Sequence, residues 1–226
     1  MPLLPLPDGN EIYFTTRGSG ETVALLNGIM MSTGSWELQA EPLSNEYQVL
    51  LHDFLGQGRS SKPASGYSMN RHCEDLVALL DHIGTDRVHL AGVSYGGEVA
   101  QAMAALYPER VKSLVLATTV SEIHPLLRAM GQAWIAAAEM EDGGRFFDII
   151  LPFVYSEDFI NNKQSWLAER KKLYAESVTS EWFQGFLGLM DSFLELNLTP
   201  LLEKIKAPTL VLAAEKDLLK PEDYSK

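Results

Sequence analysis

The segment Gly92-Val93-Ser94-Tyr95-Gly96 leaves the chain little conformational freedom. It follows an apolar, strand-forming run, Val88-His89-Leu90-Ala91, and precedes an alanine-rich stretch from Glu98 to Tyr107 that suits a helix. A strand that turns straight into a helix brings two backbones close together, and glycine at positions 92 and 96 removes the Cβ atoms that would collide. The serine between them is lifted above the sheet. The helix that follows begins with backbone N–H groups lacking an intrahelical partner, and these face the place where negative charge would develop.

Other segments repeat the strand pattern. Glu11 to Thr16 alternates apolar and polar residues, as a half-exposed edge strand would. Thr22 to Leu26, Gln48 to His52, Ser113 to Ala117 and Thr209 to Ala213 are short, apolar and rich in strand formers. Between them, Arg71 to Ile83 places Leu76, Leu79, Leu80 and Ile83 on one helical stripe. Nearly continuous apolar strands alternating with helices predict a mostly parallel sheet covered on both faces, an α/β fold. Sites in such sheets form at the carboxyl ends of the strands. Asn27, Asp53, Ser94, Thr118 and Asp217 all fall at or just past such ends. Five polar residues so placed suit one site better than five unrelated turns.

The stretch 121–196 has no strand alternation and carries large residues at helical spacings, among them Trp134, Phe146, Phe147, Trp182, Phe186 and Met190. It predicts an inserted helical cap. The expected organisation is a core in 1–120, the cap in 121–196, and a second, incomplete core segment in 197–226.

The 226 residues suit one α/β domain with such an insertion, and 46% hydrophobic residues supply its core. Thirty acidic against 18 basic residues leave a net charge of −12, which argues against nucleic acid as a partner. The one cysteine, Cys73, excludes an internal disulfide and a thiol-rich metal site. The N-terminal Met1-Pro2-Leu3-Leu4-Pro5 has no basic region and its prolines break any apolar helix, so it does not read as a signal peptide. No apolar run is long enough to span a bilayer. A soluble, cytoplasmic protein is expected; the oligomeric state is left open.

A serine hydroxyl becomes a useful nucleophile when a base takes its proton, and the oxyanion that follows needs two fixed N–H donors. Further motifs set this serine in context. Asp53-Phe54-Leu55-Gly56-Gln57-Gly58-Arg59-Ser60 is similar to an Asp-x-x-Gly-x-Gly-x-Ser loop. Tyr107-Pro108-Glu109-Arg110-Val111 leads into the strand around Leu114 to Leu116. Pro208 to Leu212 is followed by Glu215-Lys216-Asp217. Together with the serine turn, these make the chain resemble the α/β-hydrolase family along nearly its whole length.

The resemblance implies the α/β-hydrolase fold and a serine hydrolase cleaving a carboxylic ester, lactone or acyl thioester without metal or organic cofactor. Ser94 would be the nucleophile and Asp217 the acid, with Glu215 the nearby competitor. Tyr95 and Ile29 would give the oxyanion-hole N–H groups, with Met30 the second choice to Ile29. Asn27, Gly28 and Met30 would contact substrate, and Asp53 would brace its own loop. A serine rather than an aspartate at the turn sets aside the dehalogenase and epoxide-hydrolase branches. Asn27-Gly28 in place of the commoner His-Gly resembles the enol-lactonases, and Leu26 to Thr33 resembles the hydroxyacyl transferases of rhamnolipid synthesis.

The family's histidine follows the acid after a further strand, and none of His52, His72, His82, His89 or His124 occupies that position. The expected fold is therefore truncated at its C-terminus, with the base beyond residue 226 and His124 as the alternative. Two other readings are carried forward. One is an acyltransferase or thioesterase using acyl carrier protein or coenzyme A, docked through Arg170-Lys171-Lys172 and Lys163. The other is a non-catalytic ligand-binding protein on the same fold.

Overall fold

The computed structural model describes residues 2–225. Among them, seven strands form one sheet in the order β1-β2-β4-β3-β5-β6-β7. β3 (Thr22–Leu26), β4 (Gln48–His52), β5 (Val88–Val93), β6 (Val111–Ala117) and β7 (Thr209–Leu212) run parallel. β2 (Glu11–Arg17) joins β4 antiparallel, and β1 (Leu3–Pro5) joins β2 antiparallel. The alternating segment 11–16 is thus not the edge. Its outer side is covered by the three residues of β1, too short a run for its pattern to show. The opposite edge is β7, whose Leu210, Val211 and Leu212 are each about half exposed.

Helices α1 (Glu37–Leu43), α2 (Met69–His82) and α3 (Tyr95–Leu106) occupy the connections of the parallel strands. The helical stripe read from the sequence faces inward, with Leu76, Leu79 and Leu80 fully buried. α3 is buried along almost its whole length, because alanines and glycines on every face let it sit deep between sheet and neighbours. Ser68 caps α2 by accepting the Arg71 N–H.

Five helices separate β6 from β7: α4 (Pro125–Ala138), α5 (Gly143–Val154), α6 (Glu157–Asn162), α7 (Gln164–Ser177) and α8 (Ser180–Leu194). Their large residues pack on one another, as in the Phe146, Trp182, Phe183 and Phe186 ring cluster with centroids 5.0–5.7 Å apart. α8 also meets the core directly. A Cβ on Gly185 would lie 2.3 Å from the Gly56 carbonyl oxygen. Gly185→Ala therefore forces backbone apart at this crossing, and we expect a loss of roughly 1–3 kcal/mol, read as a lower urea midpoint at unchanged slope.

Candidate active site

The turn after β5 is as tight as the sequence implies. A Cβ on Gly92 would fall 2.3 Å from the Gly96 oxygen, and one on Gly96 would fall 2.2 Å from the Leu26 oxygen. Ser94 itself sits at φ 52°, ψ −121°, in the left-handed half of backbone space that a serine rarely adopts. Its N–H donates to the Ala117 carbonyl at 2.9 Å, which ties the strained residue to the end of β6.

Beside it, the turn after β3 carries Gly28, Ile29 and Met30, which share one cavity with Ser94 and Tyr95. The N–H groups of Ile29 and Tyr95 have no protein acceptor among the described residues. The turn is fixed from behind by Gln57, whose Nε2 donates to the carbonyls of Gly28 at 2.8 Å and Ile29 at 3.1 Å. With both carbonyls held back, the amides are free to face forward.

Asn27, expected to touch substrate, does not line the cavity. It is fully buried; its Nδ2 donates to the His52 carbonyl at 3.0 Å and Gln57 Oε1 at 3.2 Å, while its Oδ1 accepts from Trp36 Nε1 at 2.8 Å. These bonds turn the side chain under the loop instead of into the cavity. Asp53 is similarly occupied, accepting from the N–H groups of Thr33 at 2.7 Å and Arg59 at 3.0 Å.

The cavity measures about 1020 Å³ and lies between the carboxyl ends of the strands and the inserted helices. Leu127, Trp134, Phe147, Ile150, Met190 and Phe193 make its wall apolar, and Asp217 and Thr118 reach it from the strand ends. Glu215 is exposed and lies off the cavity. None of the histidines lines it; His124 stacks on Tyr224 at 4.1 Å. A base beyond residue 226 falls outside the described residues. The basic run in α7 is largely engaged: Lys171 pairs with Asp148, Lys172 with Glu176, and Arg170 lies over the Trp166 ring.

Two residues were not anticipated. Asp217 Oδ1 accepts the N–H groups of Leu219 and Lys220, both at 2.9 Å, and this turn sends the Lys220 side chain back under Ser94. Lys220 is only 4% exposed, with Nζ 3.0 Å from Ser94 Oγ and 2.5 Å from Glu98 Oε1. Glu98, one turn into α3 and fully buried, also accepts from Thr119 Oγ1 at 3.0 Å. Burial pushes its carboxyl above the ordinary range, against the opposing pull of Lys220. A lone carboxylate in the apolar run Glu98 to Leu106 was the sequence sign that a buried cation must exist somewhere.

On the other side of the turn, the Tyr95 hydroxyl donates to Ser192 Oγ at 3.1 Å, and His72 Nε2 lies 2.9 Å from it. With its own proton used, the hydroxyl accepts from His72, which fixes the Nε2–H tautomer. Burial lowers His72 to about 3, and lowers His52, which packs edge-on against Phe54, to about 4. The unfolded chain protonates His52 near pH 6.5, the folded protein only near 4. That part of stability is complete above pH 6.5 and is lost as pH falls toward 4. Between pH 7 and 5, wild type should lose about 2 kcal/mol more than His52→Leu, measured by urea unfolding at both pH values.

The same fold recurs in known proteins. Residues 21–226 match the family described as alpha/beta hydrolase fold. The 3-oxoadipate enol-lactonase 2 of Acinetobacter baylyi is 25% identical over 211 residues, covering 91% of this chain and 76% of the relative. The solved structure of MGS-M2, an alpha/beta hydrolase enzyme from a Medee basin deep-sea metagenome library, superposes with a TM-score of 0.95 at 30% identity, covering 99% of this chain and 83% of that one. A thermophilic esterase from Thermogutta terrifontis, solved with malate bound, gives 0.83 at 26% identity over 99% and 83%. A serine at a strained strand-to-helix turn, a braced loop beside it and this strand order have one common home, and the chain belongs to the α/β-hydrolase fold family.

Proposed function

We propose that the protein is a serine hydrolase of carboxylic esters or lactones that works through an acyl-Ser94 intermediate. The observation that carries this reading is Ser94, held in a strained conformation on an apolar cavity beside two unpartnered N–H groups. The acyl part of the substrate lies along Trp134, Phe147 and Met190, with the inserted helices acting as a cap. Ser94 Oγ bonds to the carbonyl carbon as its proton passes to a base, and the carbonyl oxygen takes the negative charge between Ile29 and Tyr95 N–H. That proton then goes to the leaving oxygen as its bond to carbon breaks. Water repeats the sequence and frees the acid. Asp217, on the cavity wall, is the acid that orients the base.

The enol-lactonase and the esterase support this reading, since opening a lactone and cleaving an ester are both acyl transfers to water, although other relatives carry the names carbamate hydrolase and non-heme haloperoxidase. The carrier-docking alternative gains nothing from a basic helix whose charges are mostly paired or stacked.

A fluorophosphonate probe tests the nucleophile. Intact mass should show one adduct on wild type and none on Ser94→Ala; an adduct on the variant, or none on wild type, overturns the reading. The oxyanion hole has its own test. Ile29→Pro deletes one N–H without touching a backbone hydrogen bond, and it should slow labelling roughly 10²- to 10³-fold while circular dichroism stays unchanged.

A further inference from the structure

We infer that Lys220, clamped by Glu98, is a positioning cation for the serine: it fixes Ser94 Oγ toward the cavity and favours the hydroxyl's loss of its proton. The inference rests on the reading of Ser94 as nucleophile and adds to it a charge within hydrogen-bond reach of the reacting atom. Three features carry it. Lys220 Nζ lies 3.0 Å from Ser94 Oγ and is the side-chain group found bonded to that oxygen among the described residues. The lysine is removed from water, so its charge acts through protein instead of being screened. Its direction is set from two sides, by Glu98 Oε1 at 2.5 Å and by the Phe193 ring, whose centroid lies 5.1 Å from Nζ.

An ammonium has three protons to give and no acceptor. One goes to Glu98 and one to Ser94, so the serine oxygen is the acceptor in this bond and its own hydrogen is free to point elsewhere. As that hydrogen leaves, charge on Oγ grows and the Lys220 bond strengthens, since a charge-assisted bond gains more than a neutral one. No proton moves from Lys220 in this step. Glu98 acts through Lys220: it holds the cation in a place where an unpaired charge would not stay.

The pair also joins two parts of the chain that sequence keeps far apart. Glu98 belongs to the helix that begins at Ser94, and Lys220 to the turn organised by Asp217. A purely structural ion pair would do no more than this joining. The two roles separate in a pair of variants. Lys220→Met leaves Glu98 buried without its cation and should lower the urea midpoint as well as labelling. Adding Glu98→Gln removes the orphaned charge and should return the midpoint most of the way, because neutralising both partners of a buried pair is far less costly than removing one.

The measurement is saturating fluorophosphonate labelling of wild type, Glu98→Gln, Lys220→Met and the double variant, each with its urea midpoint. The expected result is a double variant of near wild-type stability that binds the probe with unchanged half-saturation but reacts roughly 10- to 100-fold more slowly. A double variant that regains the labelling rate together with stability overturns the inference and leaves the pair structural. A wild type that does not label at all overturns the reading of Ser94 instead, so the two failures are distinct.

Discussion

At Gly96 the first turn of α3 lies against the Leu26 carbonyl with no space for a methyl group, and the rest of the site follows from that contact. It sets the end of β3 beside the start of α3, which brings Ile29 to the same cavity as Tyr95. It forces the chain at Ser94 into a conformation that lifts the hydroxyl out of the sheet. The strain of about 1–3 kcal/mol is local, and the surrounding strands over-determine it. β5 sits between β3 and β6, and from His89 to its carboxyl end it is paired in unbroken register to both, so the turn cannot relax without breaking the centre of the sheet.

Around this fixed point the polar groups divide into two sets. Asn27, Asp53 and Gln57 bond to one another and to loop backbone, and so hold the amide-bearing turn in shape. Glu98 and Lys220 lie on the opposite side of the serine and bring a buried pair of charges to it. The first set holds the loop carrying Gly28 and Ile29 without presenting any charge of its own to the cavity. The second brings a lysine to Ser94 Oγ. Trp134, Phe147, Ile150 and other apolar side chains make much of the remaining wall.

Much of this was legible in the sequence, and the failures have physical reasons. The strands from Thr22 to Leu26 and from Gln48 to His52 have the bounds read from the sequence, because each has an unbroken apolar centre buried on both faces, set off by a polar residue at one or both ends. β1 escaped because three residues carry no periodicity. Ser94, Gly28, Ile29, Met30, Tyr95 and Asp217 do meet at one cavity, since strand ends in a parallel sheet converge. Asn27 shares the strand-end position yet points away: position along a strand fixes where a residue is, and the pleat and its partners fix where its side chain goes. Lys220 was invisible for a different reason. A lysine normally reads as solvated, and only its pairing with a carboxylate more than a hundred positions earlier turns it inward.

The Tyr95 hydroxyl bonds to Ser192 on α8, and the same helix rests on Gly56 with bare backbone against bare backbone. A hinge motion swinging all five inserted helices away as one body would pull on Tyr95, the neighbour of Ser94 in the turn. α8 therefore belongs mechanically to the sheet. The stretch from the end of α5 through α7 reaches the cavity through Phe153, Tyr155, Ile160 and Tyr174, and Tyr174 in turn packs edge-on against Trp182 of α8. The roof is thus anchored to the sheet along α8, and the rings of α5 and α7 are packed onto that same helix.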